Sequence, residues 1–401
     1  MTWGASSPYS EGMPSSPTPA PGTRANNLAR ILRLVHEDGA QSRAALTERT
    51  GLNRSTIADL VAELVQRGLV DERVPDVPGR VGRPSPVVTA SANVVAIAVN
   101  PEVDAIELAA VGLDRGILVR ERLLNEALPT PDAVAATIVD RIAAWRRGPL
   151  ADSRVEAIGI AVPGLVRSSD GVVRNAPHLE WADVPLAELV ATATSLPTVV
   201  DNDATLGAIA EHRYGAGRGI DDIVYLNGGA SGIGGGLVIH GRPVAGAGGY
   251  AGEFGQNRPR ISADEDRRTA DGVLEAEVSR RLLLDAVGLE AADDETLDTA
   301  LSAAESSTVT EEITRQSHVL ASALANAVNV LNPALIVLGG FLATLAELRG
   351  VQIADAVAEL AMSESAEGLQ IRQAALGADR LLIGAAELAF ADLLADPGER
   401  S

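Results

Sequence analysis

The sequence contains no cysteine and no lysine, and aromatic residues make up only 2% of its 401 positions. Without cysteine the chain cannot form a disulfide, a thiolate zinc site or a cysteine nucleophile. Hydrophobic residues make up 46% of the chain, so its core must be built from aliphatic residues and alanine. No uninterrupted apolar run approaches the ~18 residues of a membrane span, and we expect no membrane partner.

The chain also has fewer basic than acidic residues. The chain has 54 acidic and 33 basic residues and a net charge of −21, which argues against a protein coated with nucleic acid. The balance differs locally, because residues 24–85 contain ten Arg and eight Asp or Glu. That segment is therefore basic enough to contact DNA, while the remainder carries about −23. The length predicts two or three domains.

Residues 1–23 are rich in Pro and Ser and have neither a basic start nor an apolar stretch. This composition does not match a signal peptide. We interpret the segment as a disordered tail and expect a cytoplasmic protein.

Residues 24–87 have the pattern of a winged helix-turn-helix domain. A first helix has its apolar residues at i, i+3, i+4 and i+7, from Leu28 to Val35. Ser42 can cap a second helix that stops at Gly51, and Asn53 or Ser55 can cap a third. The third helix has an apolar stripe formed by Ile57, Leu60, Val61, Leu64 and Val65.

The start of the third helix is the part that enters the major groove in this motif. A Gly/Pro loop further on offers arginines that can reach a narrow minor groove. The predicted DNA-binding residues are Ser42, Arg43, Asn53, Arg54, Ser55, Thr56, Arg80 and Arg83. The alternative interpretation of residues 24–87 is a three-helix protein-interaction module.

Residues 88–401 alternate between apolar strands and Ala/Leu-rich helices, which is typical of an α/β domain. The predicted strands are 94–99, 106–113, 155–162, 196–203, 222–229, 235–241 and 334–340. The predicted helices include 131–145, 314–332 and 381–395. We expect two lobes around a cleft, the first about 88–203 plus the C-terminal helix, the second about 204–378.

Four ordered segments carry a family resemblance: GIAVPGLVRSSDGVVRNAPHLEWADVPL, VVDNDATLGA, LNGGASGIGGGLVIHGRPVAGAGGYAGEFGQ and LNPALIVLGG. Together with the DNA-binding head, they resemble the ROK family of sugar kinases and sugar-responsive repressors, in its transcriptional-regulator branch. The resemblance implies a winged helix-turn-helix followed by a two-lobed sugar-kinase-like domain of the actin-like ATPase/ribonuclease H-like fold.

The resemblance also implies a ligand site. Asp203 stands where family kinases have the base that accepts the proton of the sugar hydroxyl, and its alternative role is to cap the following helix. Glu253 matches a position that takes sugar hydroxyls, while Gln256 replaces a His that binds both sugar and a structural zinc. The predicted ligand-binding residues are Gly164, Asn202, Asp203, Glu253, Gln256 and Glu275. With that His and the family's cysteines missing, no zinc and no other metal is expected.

Phosphoryl transfer requires loops that hold the nucleotide phosphates. Family kinases have an acidic residue and Gly-Gly-Thr where this chain has Asn100 to Asp104, a stretch with a Pro and two carboxylates. Pro removes a donor and the carboxylates repel phosphate, so ATP binding is not expected. The glycine-rich loop from Gly228 to Gly236 resembles the second phosphate loop, with Ser231 as a possible donor, or is only a tight turn. Asp203 is therefore expected to be a vestigial base, and the chain is not expected to be an enzyme.

The sequence thus predicts a sugar-responsive DNA-binding regulator, a repressor of carbohydrate metabolism, that acts as a homodimer or homotetramer. Its predicted partners are operator DNA and a small carbohydrate or derivative. Two alternatives remain open: an active ATP-dependent sugar kinase with a DNA-binding head, and a regulator whose ligand is lost or is not a sugar.

Overall fold

The computed structural model describes residues 24–73, 85–261, 263 and 266–398. The chain divides into two units, one formed by the residues up to Ala90 together with the C-terminal residues from Asp392, the other by Ser91–Ala391. The sequence did not predict that the C-terminal residues belong with the N-terminal head. No helix in the described ranges is long and apolar enough to cross a bilayer.

The first unit contains three helices and a small antiparallel sheet with strand order β1-β3-β2. Its elements are α1 Arg24–Asp38, β1 Gln41–Ser42, α2 Arg43–Thr50, α3 Arg54–Gln66, β2 Val70–Arg73 and β3 Val87–Ala90. This is the predicted winged helix-turn-helix. The predicted caps are confirmed: Ser42 Oγ accepts the N–H of Ala45 at 3.1 Å, and Asn53 Oδ1 that of Thr56 at 2.8 Å. Gly51 ends α2 at a φ of 73°.

The predicted apolar faces of α1 and α3 form the core of the head, with one exception. Val65 was predicted to lie in the stripe of α3 but is 41% exposed. Helix α3 ends one residue later, and Leu69, whose N–H bonds to the carbonyl of Leu64, is buried at that end. Of the predicted DNA-binding residues, Arg80 and Arg83 lie outside the described residues.

The second unit begins with a five-stranded sheet of order β11-β7-β4-β5-β6, covered by two helices and joined to a small sheet β10-β9-β8. The elements of this first lobe are β4 Val94–Pro101, β5 Ala105–Gly112, β6 Ile117–Leu124, α4 Pro131–Trp145, β7 Arg154–Val162, β8 Leu165–Arg167, β9 Val172–Ala176, β10 Trp181–Val184, α5 Leu186–Thr194 and β11 Thr198–Asn202. The charged strand β6 was not predicted, because it has alternating exposure and no continuous apolar run.

The second lobe is built on a five-stranded sheet of order β14-β13-β12-β15-β16. Its elements, with the helices on either side, are α6 Asp203–Tyr214, β12 Ile223–Gly229, β13 Gly232–Ile239, β14 Arg242–Pro243, α7 Leu274–Glu277, α8 Arg280–Val287, α9 Asp294–Ser302, α10 Ser307–Leu331, β15 Leu335–Gly340, α11 Phe341–Leu360, α12 Ser363–Ala366 and β16 Gln370–Gln373. The last helix, α13 Arg380–Ala395, packs against β7 of the first sheet.

The two large sheets have the same topology. In each sheet, the first three strands are antiparallel to one another. Two later strands, β7 and β11 in one lobe and β15 and β16 in the other, extend the sheet beside the first strand and run parallel to it. The carboxyl ends of β4, β11 and β12 therefore lead into the cleft between the lobes. Ligands of α/β proteins bind outside the carboxyl ends of such strands.

Candidate functional site

A cavity of about 290 Å³ lies between the two lobes. A volume at the small end of ligand sites suits a small molecule such as a monosaccharide. The predicted ligand residues all line this cavity: Gly164, Asn202, Asp203, Glu253, Gln256 and Glu275. Residues from sequence segments more than 100 positions apart are thus brought to one place.

Asn202 serves as the N-cap of α6. Its Oδ1 accepts the N–H of Thr205 at 2.9 Å, and its Nδ2 donates to the carbonyl of Gly164 at 3.0 Å. Gly164 has a φ of 148°, and an added Cβ would lie only 2.5 Å from the carbonyl oxygen of Asn175. Glycine is therefore required where the β7–β8 turn meets the cavity, and Asn202 fixes the position of that turn.

Asp203 follows as the first residue of α6 and is only 4% exposed. Burial raises the pKa of its carboxyl group to about 6. Its Oδ2 accepts a hydrogen bond from Nδ2 of Asn227 at 3.3 Å, and hydrogen bonding from the backbone N–H of Ala204 opposes the rise in pKa. The remaining acceptor capacity of this carboxylate is available to a ligand hydroxyl.

Asn227 and Arg380 support Asp203, and the sequence had not assigned a role to either. Asn227, near the end of β12, accepts at Oδ1 from Nε of Arg380 at 2.9 Å and from the hydroxyl of Tyr225 at 3.2 Å. These bonds orient the Asn227 amide so that its Nδ2 faces Asp203. Other lining residues that were missed are Asn175 and His178. Both stand in the first of the four segments that carry the family resemblance, so that segment was the signal that could have identified them.

Glu253, Gln256 and Glu275 form the opposite wall. Gln256 Nε2 donates to Oε1 of Glu275 at 2.5 Å, while Glu275 Oε2 accepts the N–H of Ile233 at 3.4 Å. Partial burial, followed by the carboxylates of Asp203 and Glu275, raises the pKa of Glu253. Three carboxylates thus converge on the cavity, and among its described lining residues there is no arginine.

The segment Asn100–Asp104 is a short β-hairpin turn between β4 and β5, closed by the N–H of Glu102 bonding to the carbonyl of Ala105 at 2.8 Å. Oε1 of Glu102 reaches the other lobe and accepts the hydroxyl of Ser231 at 2.8 Å. Burial, followed by the nearby Asp203 carboxylate, raises the pKa of Glu102 to about 8. A carboxyl group of the chain itself therefore occupies the Ser231 donor.

Ser231 belongs to the glycine-rich segment Gly228–Gly236, which is a β-hairpin. Gly229 pairs with Gly232, so only Ala230 and Ser231 form the turn between β12 and β13. An added Cβ at Gly234 would lie 2.8 Å from the Cβ of Ala204 on α6. The segment therefore forms a tight turn between two strands, which is one of the two interpretations that the sequence allowed. Close packing on α6 accounts for the glycine at position 234.

A second cavity of about 320 Å³ lies beside the first and shares Asn227 and Gly229 with it. Arginines on β6 line it, but they are paired with acidic residues of the protein. Arg120 bonds to Glu107 at 2.8 Å and Asp379 at 2.6 Å, and Arg122 bonds to Asp104 at 2.9 Å. These arginines are therefore already neutralised within the fold.

In the DNA-binding head, the predicted contact residues fall into two groups. Ser42 and Asn53 use their side-chain oxygens as helix caps, and Arg43 bonds to Glu72 of β2 at 2.5 Å. Arg54 and Ser55 are exposed at the start of α3, and Thr56 is partly exposed beside them. The exposed group is the one that a DNA major groove can reach.

Family models match both units. The winged helix-turn-helix DNA-binding model matches residues 26–71, and the ROK family model matches residues 96–392.

Curated relatives include repressors and kinases. The chain is 25% identical to a xylose repressor of Caldicellulosiruptor bescii, over 92% of this chain and 97% of the repressor. It is 31% identical to a glucokinase of Halalkalibacterium halodurans, over 57% of this chain and 74% of the glucokinase. The match to the repressor thus covers a larger share of this chain than the match to the glucokinase.

Solved structures agree on the fold. A ROK family transcriptional regulator, described as a homologue of the E. coli MLC protein, aligns with a TM-score of 0.74 and 23% identity over 93% of this chain and 97% of its own. A ROK family glucokinase of Streptomyces griseus aligns with a TM-score of 0.59 and 28% identity over 74% of this chain and 99% of its own. The chain therefore belongs to the ROK family and carries a winged helix-turn-helix DNA-binding domain ahead of its ROK domain.

Proposed function

We infer that the chain is a sugar-responsive DNA-binding repressor of carbohydrate metabolism, and we propose that its ROK domain binds a sugar as a signal without transferring phosphate. The observation that carries the second proposal is the bond between Glu102 and Ser231. It places a carboxyl group against the loop donor that a nucleotide phosphate would need. To reach the Ser231 hydroxyl, a phosphate would have to displace this carboxyl group.

The cavity chemistry favours a polyhydroxy ligand without negative charge. Asp203, Glu253 and Glu275 offer acceptors for hydroxyl donors, and Gln256 and Asn202 add amide groups. A sugar phosphate or a uronic acid would bring a negative charge next to three carboxylates without an arginine among the described lining residues. A site of this kind also rejects epimers, because a misplaced hydroxyl leaves buried polar groups unpaired.

The head supplies the DNA-binding half of this function. Arg54, Ser55 and Thr56 lie at the exposed start of α3, where a recognition helix contacts base edges and phosphates. We propose a homodimer or homotetramer, because paired recognition helices match two operator half-sites. Support from the relatives is the xylose repressor, which shares nearly its whole length with this chain.

The experiment combines a binding screen with an activity assay. Purified protein is titrated with neutral sugars, amino sugars and sugar phosphates while the melting temperature is followed, because a ligand of the native state raises it. We expect a neutral or amino sugar to stabilise the protein and its phosphate ester to have no effect. The Asp203→Asn variant is the matched control and should lose the stabilisation.

The same preparations are then incubated with ATP and each sugar, and ADP is measured. We expect no ADP above the level of the Asp203→Asn variant. Sugar-dependent ADP formation that this substitution abolishes would establish the kinase alternative. Absence of any sugar-induced shift across the panel would establish the alternative of a lost or non-sugar ligand.

A further inference from the structure

The wall of the ligand cavity that contains Glu275 is held in place by hydrogen bonds on its buried side, away from the cavity. Helix α7 is a single turn that carries both Glu275 and Glu277. Glu275 lines the cavity, whereas Glu277 has 0% of its surface exposed. The position of one carboxylate therefore depends on what holds the other.

Four donors surround the Glu277 carboxylate. Oε1 accepts the N–H of Thr269 at 2.9 Å and its hydroxyl at 3.0 Å, while Oε2 accepts the N–H of Arg268 at 2.8 Å. The fourth donor is NH1 of Arg315, at 3.3 Å from Oε2. A buried carboxylate is retained when its oxygens are hydrogen-bonded and its charge is paired, and both conditions are met here.

Arg315 joins this turn to the long helix α10. Its side chain is 4% exposed and donates to the carbonyls of Asp266 at 2.9 Å and Glu277 at 2.6 Å. It also bonds to Glu312, one turn earlier in α10, at 2.7 Å. One guanidinium therefore connects α10, α7 and the residues 266–269 that precede α7.

These residues do not fit the zinc that the ROK family resemblance implies. The segment between Gln256 and Glu275 contains neither His nor Cys. In the described part of the chain, no group of three or more His, Cys, Asp or Glu side chains is placed to hold a metal. Gln256, at the position of the family's metal-binding His, instead donates to Glu275.

We propose that the Arg315–Glu277 pair does the work of a structural metal in this chain, holding α7 and residues 266–269 so that Glu275 and Gln256 face the ligand. Arg315 is a positioning residue, because it acts on the ligand only through Glu275. The affinity part of the test rests on the proposed sugar-binding function. The pair should also keep residues 266–277 ordered when no ligand is bound, and this can be tested without a sugar.

The ligand-free test is hydrogen exchange on full-length wild type and on Arg315→Met, with Arg315→Lys as the conservative variant. We expect the amides of Arg268, Thr269 and the α7 residues to exchange at least tenfold faster in Arg315→Met, with partial recovery in Arg315→Lys. Arg281→Met, which removes an exposed pair with Asp285 on α8, is the matched control and should leave this segment unchanged. Unchanged exchange of residues 266–277 in folded Arg315→Met would overturn the proposal.

The ligand test is a double-mutant cycle on sugar affinity with Arg315→Met and Glu275→Ala. We expect each single variant to weaken binding more than tenfold and the double variant to be little worse than either, because both act through one carboxylate. Additive losses would show that Arg315 affects sugar affinity by a route that does not involve Glu275, and would overturn its positioning role. A chelator should leave the affinity of wild type unchanged, and loss of affinity on chelation would contradict the proposal.

These outcomes are separable from the proposed function. If wild type binds no sugar, the sugar-binding function fails, while the exchange measurement still decides whether Arg315 orders the segment. If wild type binds sugar and Arg315→Met binds it equally well, the positioning role fails and the function stands.

Discussion

Among single residues, Asp203 ties the ligand response to pH. Burial places its pKa at about 6, and its charged form is the better acceptor for a sugar hydroxyl. One unit below the pKa only about a tenth of the molecules carry this charge. We expect the affinity for the sugar to fall by roughly tenfold between pH 7 and pH 5, as measured by calorimetry.

The control for this prediction is Asp203→Asn, which keeps the shape of the side chain but cannot ionise. It should bind roughly 10 to 100 times more weakly at pH 7, in line with the loss of a charge-assisted hydrogen bond. Its pH dependence should be much flatter, with a remainder from Glu253. An equal pH dependence in both proteins would assign the effect to another group.

Glu102 makes a separate prediction, on stability. Its pKa is about 8 in the folded chain and 4.5 ordinarily, so between these values the folded state binds the extra proton. The free energy of unfolding must therefore decrease as pH rises through this window, by up to about 1.4 kcal/mol per pH unit. Glu102→Gln should remove this decrease, which urea unfolding at pH 6.5 and pH 8 can measure.

Glu126→Gln, a substitution of an exposed glutamate, is the control and should leave the wild-type slope unchanged. The amide oxygen introduced by Glu102→Gln can still accept the Ser231 hydroxyl, so the turn itself should persist. A wild-type slope that survives in Glu102→Gln would mean that the carboxyl group ionises normally.

At the scale of elements, the packing of α13 on the first sheet depends on a glycine. Gly159 lies in β7, an interior strand of the first sheet, and an added Cβ would overlap the backbone carbonyl of Ala385 in α13. Because that neighbour is helix backbone, it can yield only if the helix moves. We expect Gly159→Ala to lower the free energy of unfolding by about 1–3 kcal/mol.

Gly148→Ala is the matched control, since an added Cβ there has no neighbour within 4 Å and the residue has no left-handed backbone. Both variants are compared by denaturant unfolding. A Gly159→Ala variant as stable as Gly148→Ala would show that α13 is not held closely against β7.

Elements with strong local signals could be predicted from the sequence. Helix α4 begins at Pro131 after its cap Thr130 and ends at Trp145, as the apolar spacing predicts. Strand β6 could not be predicted, because its charged residues pair with neighbours that only the folded sheet supplies. The same limit applies to the site: Asp203 and Glu253 stand in motifs, whereas Arg380 reaches Asn227 across 153 positions.

The wrong prediction for Val65 also has its cause in tertiary packing. Val65 continues the apolar spacing of α3, but Leu69 takes the buried place beside it after the chain turns at Gly68. Periodicity describes a helix that continues, and it cannot show where the rest of the core comes from. The association of the C-terminal residues with the head is likewise a long-range property without a local pattern.

At the scale of the whole molecule, any coupling between the DNA-binding head and the sugar cavity must be reciprocal. If the sugar changes operator affinity by some factor, the operator must change sugar affinity by the same factor. A ligand can shift the protein only by its differential affinity for the two states, so equal binding to both would produce no response. We expect a factor between about 5 and 150, typical of allosteric proteins.

Both sides of this cycle can be measured on the full chain at one salt concentration, since DNA affinity depends strongly on salt. Operator affinity is measured with and without saturating sugar, and sugar affinity with and without operator DNA. Arg54→Ala should weaken operator binding and leave sugar binding to the free protein intact, because Arg54 lies on the exposed start of α3. Asp203→Asn should show the opposite pattern. If operator affinity stays the same when the sugar cavity is saturated, the head and the ROK domain act independently and the chain is not a sugar-responsive repressor.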